Sequence, residues 1–376
     1  MEKPKVLILG KIEHALTSWA HLHTLATIIA PSPSSTTRSA FLSECASGAF
    51  AGATVIYRTF ESVAQTGRID GELLALLPPS LRFICHNGAG YDQIDVGACR
   101  ARGIRVSHTP AAVDDSTSDI ALFLLLGALR NLGPGMASLR MGCWRRGALP
   151  ALGHDPRGKV LGILGMGGIG RNVARKAAAF GMRVRYHNRT RLGQEVERAC
   201  GGAEHRGFEE LLREADVLSL NLPLNAKTHH IISHPQFALM KPGIVLVNTA
   251  RGAVIDESAL VSALASGRVS SAGLDVYEHE PAVHPGLLAN PRVLLVPHMG
   301  TWTVETQARM EEATVANVRE ALERGRLRSV VPEMRDMEED GDDDVDVGEV
   351  EEVEGKGEIE EEEEDEDEEE GKGEEV

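Results

Sequence analysis

Three polar side chains in the second half of the chain sit where apolar runs end. Arg251 follows IVLVNTA (Ile244–Ala250), Glu280 closes GLDVYEHE (Gly273–Glu280), and His298 follows VLLVP (Val293–Pro297). Such runs read as buried strands. In open α/β sheets, ligands sit outside the carboxyl ends of strands, so three strand ends of this kind can meet at one cleft. The chemistry of the set is specific. A guanidinium holds a carboxylate through two parallel hydrogen bonds. An imidazole hands a proton to a carbonyl oxygen, and a carboxylate beside it keeps it oriented and charged. Singly, a histidine is more often a core or surface residue and a glutamate is usually solvated. As a set they predict a catalytic Arg251, Glu280 and His298 acting on a carbonyl acid, given a source of hydride.

That source is indicated by LGILGMGGIGR (Leu161–Arg171), where Gly165-x-Gly167-x-x-Gly170 lies between a strand-like run and the helical pattern RNVARKAAAF. The first glycine allows the tight turn, the second lets a pyrophosphate approach the backbone, and the third permits close helix–strand packing. The helix N-terminus adds aimed N–H groups. Gly168 and Ile169 complete the turn, so all five of these residues are expected to contact a dinucleotide. About 20 residues further on, a carboxylate for the ribose hydroxyls of NAD is expected. Here the strand ends in YHNRTR, which puts Asn188 at that position, Arg189 beside it and Arg191 close by. Without the carboxylate there is no repulsion toward a 2′-phosphate, and an arginine can pair with it. The reading is NADP, with NAD as the lesser possibility.

These residues need a scaffold that brings distant strand ends together. Strand-like runs at Lys5–Gly10, Ala53–Arg58, Leu81–His86 and Gly103–His108 alternate with helical patterns. A second series begins at the Gly-rich turn and continues through Met182–His187, Asp216–Pro223, Gly243–Asn248, Ser271–Tyr277 and Arg292–His298. Near-continuous apolar strands separated by helices predict an α/β chain with two Rossmann-like, doubly wound parallel sheets. A long apolar helix is expected from Asp114–Ser116 onward, then a Gly/Pro/Arg-rich loop over Asn131–Gly158, and a helix over Val304–Arg324. The chain of 376 residues carries a net charge of −17 and is 42% apolar. Residues 336–376 alone hold 26 acids and 2 lysines, a net of −24, which leaves about +7 for everything before them. The tail cannot bury enough apolar surface to order itself and is expected to be disordered, as a solubilising segment or one that docks a basic partner. A body of about +7 suits anionic ligands but, over that length, does not indicate a nucleic-acid binder, and none is expected as a partner. Five scattered cysteines without CxxC spacing argue against disulfides and a zinc site, so no metal is expected. The apolar run Ile120–Leu129 is too short to cross a bilayer and the first residues lack a signal-peptide pattern, so the expected location is cytoplasmic.

The chain also resembles the D-2-hydroxyacid dehydrogenases. The likeness is carried by HNGAGYDQID (His86–Asp95), HTPAAVDDSTSD (His108–Asp119), GILGMGGIGR (Gly162–Arg171), MKPGIVLVNTARGAVIDESAL (Met240–Leu260), GLDVYEHEP (Gly273–Pro281) and PHMGTWTVET (Pro297–Thr306), in order, from about residue 5 to 332. The resemblance implies that Arg251 binds substrate, that Glu280 partners the acid/base His298, and that Gly88, Ala89 and Gly90 form a loop for the substrate carboxylate. It implies that Thr117, Pro223 and Thr249 line the cofactor and that Asp275 receives the nicotinamide carboxamide. It further implies a homodimer, with an arm around Ala111–Trp144. The implied division is a substrate-binding domain from 1–112 and 300–334, a dinucleotide-binding domain over 113–299, and the acidic tail at 335–376. Among subfamilies, RYHNR and GMGGIGR look most like NADPH-dependent glyoxylate/hydroxypyruvate reductases. Asn87, Met299 and Trp302 depart from the usual pattern around the substrate. Two alternatives stand beside this reading: a reductase for another 2-oxo acid such as phenylpyruvate or 4-methyl-2-oxopentanoate, and a dinucleotide-sensing corepressor of the same fold.

Overall fold

The computed structural model describes residues 3–144 and 151–339. Among the described residues, twelve strands form two wholly parallel sheets. The first contains β1 (Lys5–Leu9), β2 (Thr27–Ile29), β3 (Ala53–Thr59), β4 (Phe83–Asn87) and β5 (Arg105–Ser107), in the order β2-β1-β3-β4-β5. The second contains β6 (Val160–Leu164), β7 (Arg183–His187), β8 (Glu204–His205), β9 (Val217–Leu220), β10 (Ile244–Asn248), β11 (Val269–Leu274) and β12 (Val293–Leu295), in the order β12-β11-β10-β9-β6-β7-β8. The strand order reverses between β1 and β3 in one sheet and between β6 and β9 in the other. Ligand crevices open at such reversals.

The strands are apolar throughout because both faces of each sheet are covered. On β10, Val245 and Val247 pack with Ala121, Leu124 and Leu125 of the helix Asp114–Leu129, while Ile244 and Leu246 pack on the opposite face with Leu260 and Leu264. In the first sheet, Leu7, Ile56 and Ile84 face one layer, with Phe41 and Leu74. Val6, Val55 and Tyr57 face the other, with Val315 and Val318 of the helix Val304–Arg324. The chain therefore returns to its first sheet after completing its second.

The structure differs from expectation in several places. A helix, Leu132–Arg140, occupies part of the segment read as a Gly/Pro/Arg-rich loop. Pro134 is tolerated because it lies in the first turn, where no N–H is needed. The edge strands β2 and β8, of three and two residues, are too short to have shown a pattern. The acidic tail begins in order: Asp336–Glu339 is helical and Asp336 pairs with Arg100. The remainder of the tail, for which disorder is expected, lies outside the described residues. Among the described residues no single helix is long and apolar enough to cross a membrane.

Candidate active site

A cleft of about 1060 Å³ collects the carboxyl ends of both sheets. The first sheet contributes Phe60 after β3 and Asn87, Gly88, Ala89, Gly90 and Asp92 at and after the end of β4. The second contributes Ile169 after β6, Pro223 after β9, Thr249 and Arg251 after β10, Asp275 and Glu280 after β11, and His298 after β12. Thr117, from the first turn of the helix Asp114–Leu129, lines it as well.

The three strand-end residues meet here. His298 Nδ1 lies 3.0 Å from Glu280 Oε2, and the Tyr277 N–H donates to Glu280 Oε1 at 2.9 Å. The Phe60 ring stands edge-on to the His298 ring at 5.3 Å between centroids, and the Arg251 guanidinium lies 5.7 Å from the same ring. Burial pushes the Glu280 carboxyl up, but the hydrogen bond and charge of His298, the Tyr277 amide and the charge of Arg251 outweigh it, so its pKa lies below the ordinary value.

His298 adopts a left-handed backbone conformation, φ +55°, which non-glycine residues rarely hold unless their surroundings fix it. Here they do. The His298 N–H donates to the Asp275 carbonyl at 2.8 Å. The Met299 and Gly300 N–H groups donate to the Asp275 carboxylate, and Thr117 Oγ1 donates to the Gly300 carbonyl at 3.3 Å. Burial raises the Asp275 pKa above the ordinary carboxylate value, against the lowering effect of those amides and of His298. Asp275 and Thr117, expected to touch cofactor, thus also brace the histidine turn.

The loop after β4 is held by two histidines. A carbonyl only accepts, so His86 Nε2 carries the hydrogen it donates to Gly90 O at 2.9 Å, and His108 Nδ1 donates to Ala89 O at 3.0 Å. Burial, reinforced by the charge of Arg58, pushes His86 well below its usual pKa, so it stays neutral. Burial lowers His108 too. The glycines are explained by what lies against them. A Cβ at Gly88 would sit 2.5 Å from His86 Nε2, and one at Gly90 would sit 1.9 Å from an Arg251 terminal nitrogen. Neither histidine, nor Asp92 on Arg251, stood out in the sequence. Each acts on a partner that no local motif reveals.

In the Gly-rich turn, each glycine has a separate cause. Gly165 has φ +97°, and its Cβ would strike the Asn221 carbonyl. A Cβ at Gly170 would lie 2.3 Å from Gly165 O, and one at Gly168 would strike the Asp114 carboxylate. Gly167 faces open space, with nothing within 4 Å. Asn188 Oδ1 accepts the Met166 N–H at 2.7 Å and so ties the end of β7 to the turn. Arg189 is exposed and forms no ion pair among the described residues. Arg191 is committed elsewhere: Nε and Nη2 both donate to Glu197 at 2.9 Å. Those bonds, with one from the Tyr186 hydroxyl, hold the Glu197 pKa down at about 2.

Two parallel doubly wound sheets with a Gly-rich turn at one reversal and an Arg/Glu/His cleft between them are the framework of a nicotinamide-dependent dehydrogenase. The sequence profile of the D-isomer specific 2-hydroxyacid dehydrogenase NAD binding domain matches residues 122–300. The chain is 53% identical over 334 residues to 4-methyl-2-oxopentanoate reductase A of Aspergillus oryzae, covering 89% of this chain and 99% of that one. It is 46% identical over 341 residues to glyoxylate reductase 1 of Saccharomyces cerevisiae, covering 89% and 96%. The crystal structure of a glyoxylate reductase from Paecilomyes thermophila superimposes with a TM-score of 0.85 at 52% identity, covering 89% of this chain and 100% of that chain. The protein belongs to the D-isomer-specific 2-hydroxyacid dehydrogenase family.

Proposed function

We propose that the protein reduces a small 2-oxo acid, glyoxylate or hydroxypyruvate, to the D-2-hydroxy acid with NADPH. The observation that carries this reading is the His298–Glu280 pair at 3.0 Å, sharing its cleft with Arg251 and with the loop Gly88–Gly90. A dinucleotide fits the other half of the cleft. Gly167 faces open space, and Thr249 Oγ1 and Asn221 Oδ1, both on lining residues, are buried without a hydrogen-bond partner. Gly165, Gly167, Gly168, Ile169 and Gly170 would hold its pyrophosphate, with Thr117, Pro223, Thr249 and Asp275 along the nicotinamide side. A nicotinamide held there would be the source of hydride for the substrate carbonyl carbon.

The rest falls to the protein. Arg251 and the Ala89–Gly90 amides take the substrate carboxylate. With Nδ1 engaged by Glu280, His298 has Nε2 free to donate a proton to the carbonyl oxygen as it gains charge. After transfer, the neutral ring keeps its Nδ1–H on Glu280. The 2′-phosphate preference rests on Asn188 standing where a carboxylate would repel it and on the uncommitted Arg189. This reading takes residues 113–299 as the dinucleotide-binding domain, 1–112 with 300–334 as the substrate-binding domain, and a homodimer as the working form.

A second substrate reading has support of its own. Phe60, Met299, Trp302 and Met310 give the cleft an apolar lining near His298, which suits a branched side chain, and the A. oryzae relative is named for 4-methyl-2-oxopentanoate. Initial rates with glyoxylate, hydroxypyruvate, phenylpyruvate and 4-methyl-2-oxopentanoate, each with NADPH and NADH, decide the matter. The first reading expects the highest kcat/KM with glyoxylate or hydroxypyruvate and NADPH. A higher value for the branched acid replaces the substrate, and a preference for NADH removes the 2′-phosphate argument.

A further inference from the structure

Arg251 is held from across the cleft. Its Nε–H donates to Asp92 Oδ1 at 2.8 Å, and Nη1 donates to the Ala250 carbonyl at 2.8 Å. The two side chains lie 159 positions apart in sequence and are each about four-fifths buried, at 20% and 22% exposed. Arg251 follows β10 of the seven-stranded sheet, whereas Asp92 lies in the loop after β4 of the five-stranded sheet. The pair is therefore a bridge between the two sheets. Among the described residues Nη2 has no hydrogen-bond partner, and it lies against Gly90, where even a methyl group would collide with it.

A free arginine side chain samples many rotamers, and a carboxylate needs two N–H groups presented in one plane. The Nη2 edge of this guanidinium lies nearest the loop where the substrate carboxylate is placed, with Nη1 behind it: a Cβ at Gly90 would stand 1.9 Å from Nη2 and 3.3 Å from Nη1. Asp92 takes the Nε edge, Ala250 O takes Nη1, and the Phe60 ring lies 5.7 Å away. We infer that Asp92 is a positioning residue: by holding Nε it fixes the rotation of the Arg251 guanidinium and thereby sets the affinity and orientation of the 2-oxo acid. This rests on the reading of Arg251 as the substrate arginine.

Charge and orientation predict opposite results, which makes the inference testable. If Asp92 merely competed for the charge of Arg251, removing it would tighten substrate binding. If it orients the guanidinium, removing it loosens substrate binding and slows turnover, since misplacing a reacting group by about 1 Å can cost on the order of 100-fold. The experiment compares wild type, Asp92→Ala, Asp92→Asn and Arg251→Ala, with glyoxylate KM and kcat from initial rates and NADPH Kd from fluorescence. Asp92→Ala should raise KM about tenfold or more and lower kcat, with NADPH Kd unchanged as the sign of an intact fold. Asp92→Asn keeps an oxygen to accept from Nε and should recover most of that loss. Wild-type kinetics in Asp92→Ala, a lowered KM, or an Asp92→Asn variant as impaired as Asp92→Ala would each overturn the inference. If Arg251→Ala is itself unimpaired, the reading of the site fails rather than the role of Asp92.

Discussion

A side chain can only donate a proton on cue if its own position is settled beforehand, and His298 is settled by its backbone as much as by Glu280. His298→Ala should reduce turnover roughly 10²–10⁴-fold, the usual share of general acid catalysis, while NADPH Kd stays put. A variant that still turns over normally removes the assignment. Glu280 has a pH signature. Its folded pKa lies below the ordinary value, so the stabilisation from its charge is complete above the glutamate range near about 4.3 and is lost only as pH falls through the lowered folded value. The difference in Tm between wild type and Glu280→Gln should therefore hold steady on the acid side down to that range and shrink below it. A difference already gone before that range is reached would contradict the lowered value. Cofactor choice divides two neighbouring arginines. Arg189→Ser should raise KM for NADPH several-fold and leave NADH unchanged. Arg191→Ala should leave the NADPH/NADH ratio alone and lower Tm, because it strips Glu197 of both guanidinium bonds. Equal loss of NADPH preference in both variants would mean that Arg191 leaves Glu197 to bind phosphate. From sequence, Arg189 is assigned to the cofactor and Arg191 is noted only as close by; nothing local shows that Glu197 claims Arg191. Arg251, Glu280 and His298 could be read because each follows an apolar strand, which fixes where it emerges.

Elements show the same division between what is written locally and what is not. The strand ends around the cleft were legible because covered parallel strands are apolar along their whole length. The helix Leu132–Arg140 was hidden by two glycines and a proline that its first turn tolerates. The start of the helix Leu16–Leu25 was hidden for a different reason. Ala15, at its N-cap, has no side chain to cap it. The cap comes from Glu311, nearly 300 residues away in the helix Val304–Arg324 and 4% exposed, whose carboxylate accepts the N–H groups of Glu13, His14 and Ala15. A carboxylate at a helix N-terminus also meets the favourable end of the helix dipole. It fastens the first helix to the returning helix, so that the beginning and end of the described chain hold each other on one face of the five-stranded sheet. Glu311→Ala should cost about 1–3 kcal/mol in urea unfolding, the penalty for stripping the buried Ala15 amide of its acceptor. An unchanged midpoint would show that water replaces the carboxylate without loss.

At the scale of the whole molecule, a helix among the described residues leaves an apolar face uncovered. The helix Leu132–Arg140 buries none of its residues, yet Leu132, Met136 and Leu139 are spaced to share one of its faces, and all three are exposed. Met141 and Trp144, just beyond its end, are exposed as well, Trp144 by 69%. A nine-residue helix with no buried face is not stable in water by itself, and contiguous apolar surface of this kind marks an interface. The proposed homodimer would supply what is missing. Two copies joined by a twofold axis through this region would cover the same residues in each chain, with about 1.5–3 kcal/mol available for each large side chain fully withdrawn from water. The helix lies directly after Asp114–Leu129, whose first turn carries Thr117, so the interface would also steady the element that braces the His298 turn. A double variant, Met136→Glu with Leu139→Glu, places charges on that face without touching the cleft. Sedimentation equilibrium should give twice the mass of one chain for wild type and the single-chain mass for the variant. A variant that keeps the doubled mass would put the interface elsewhere, and a wild-type protein sedimenting as single chains would leave the helix to be covered by something other than a second copy.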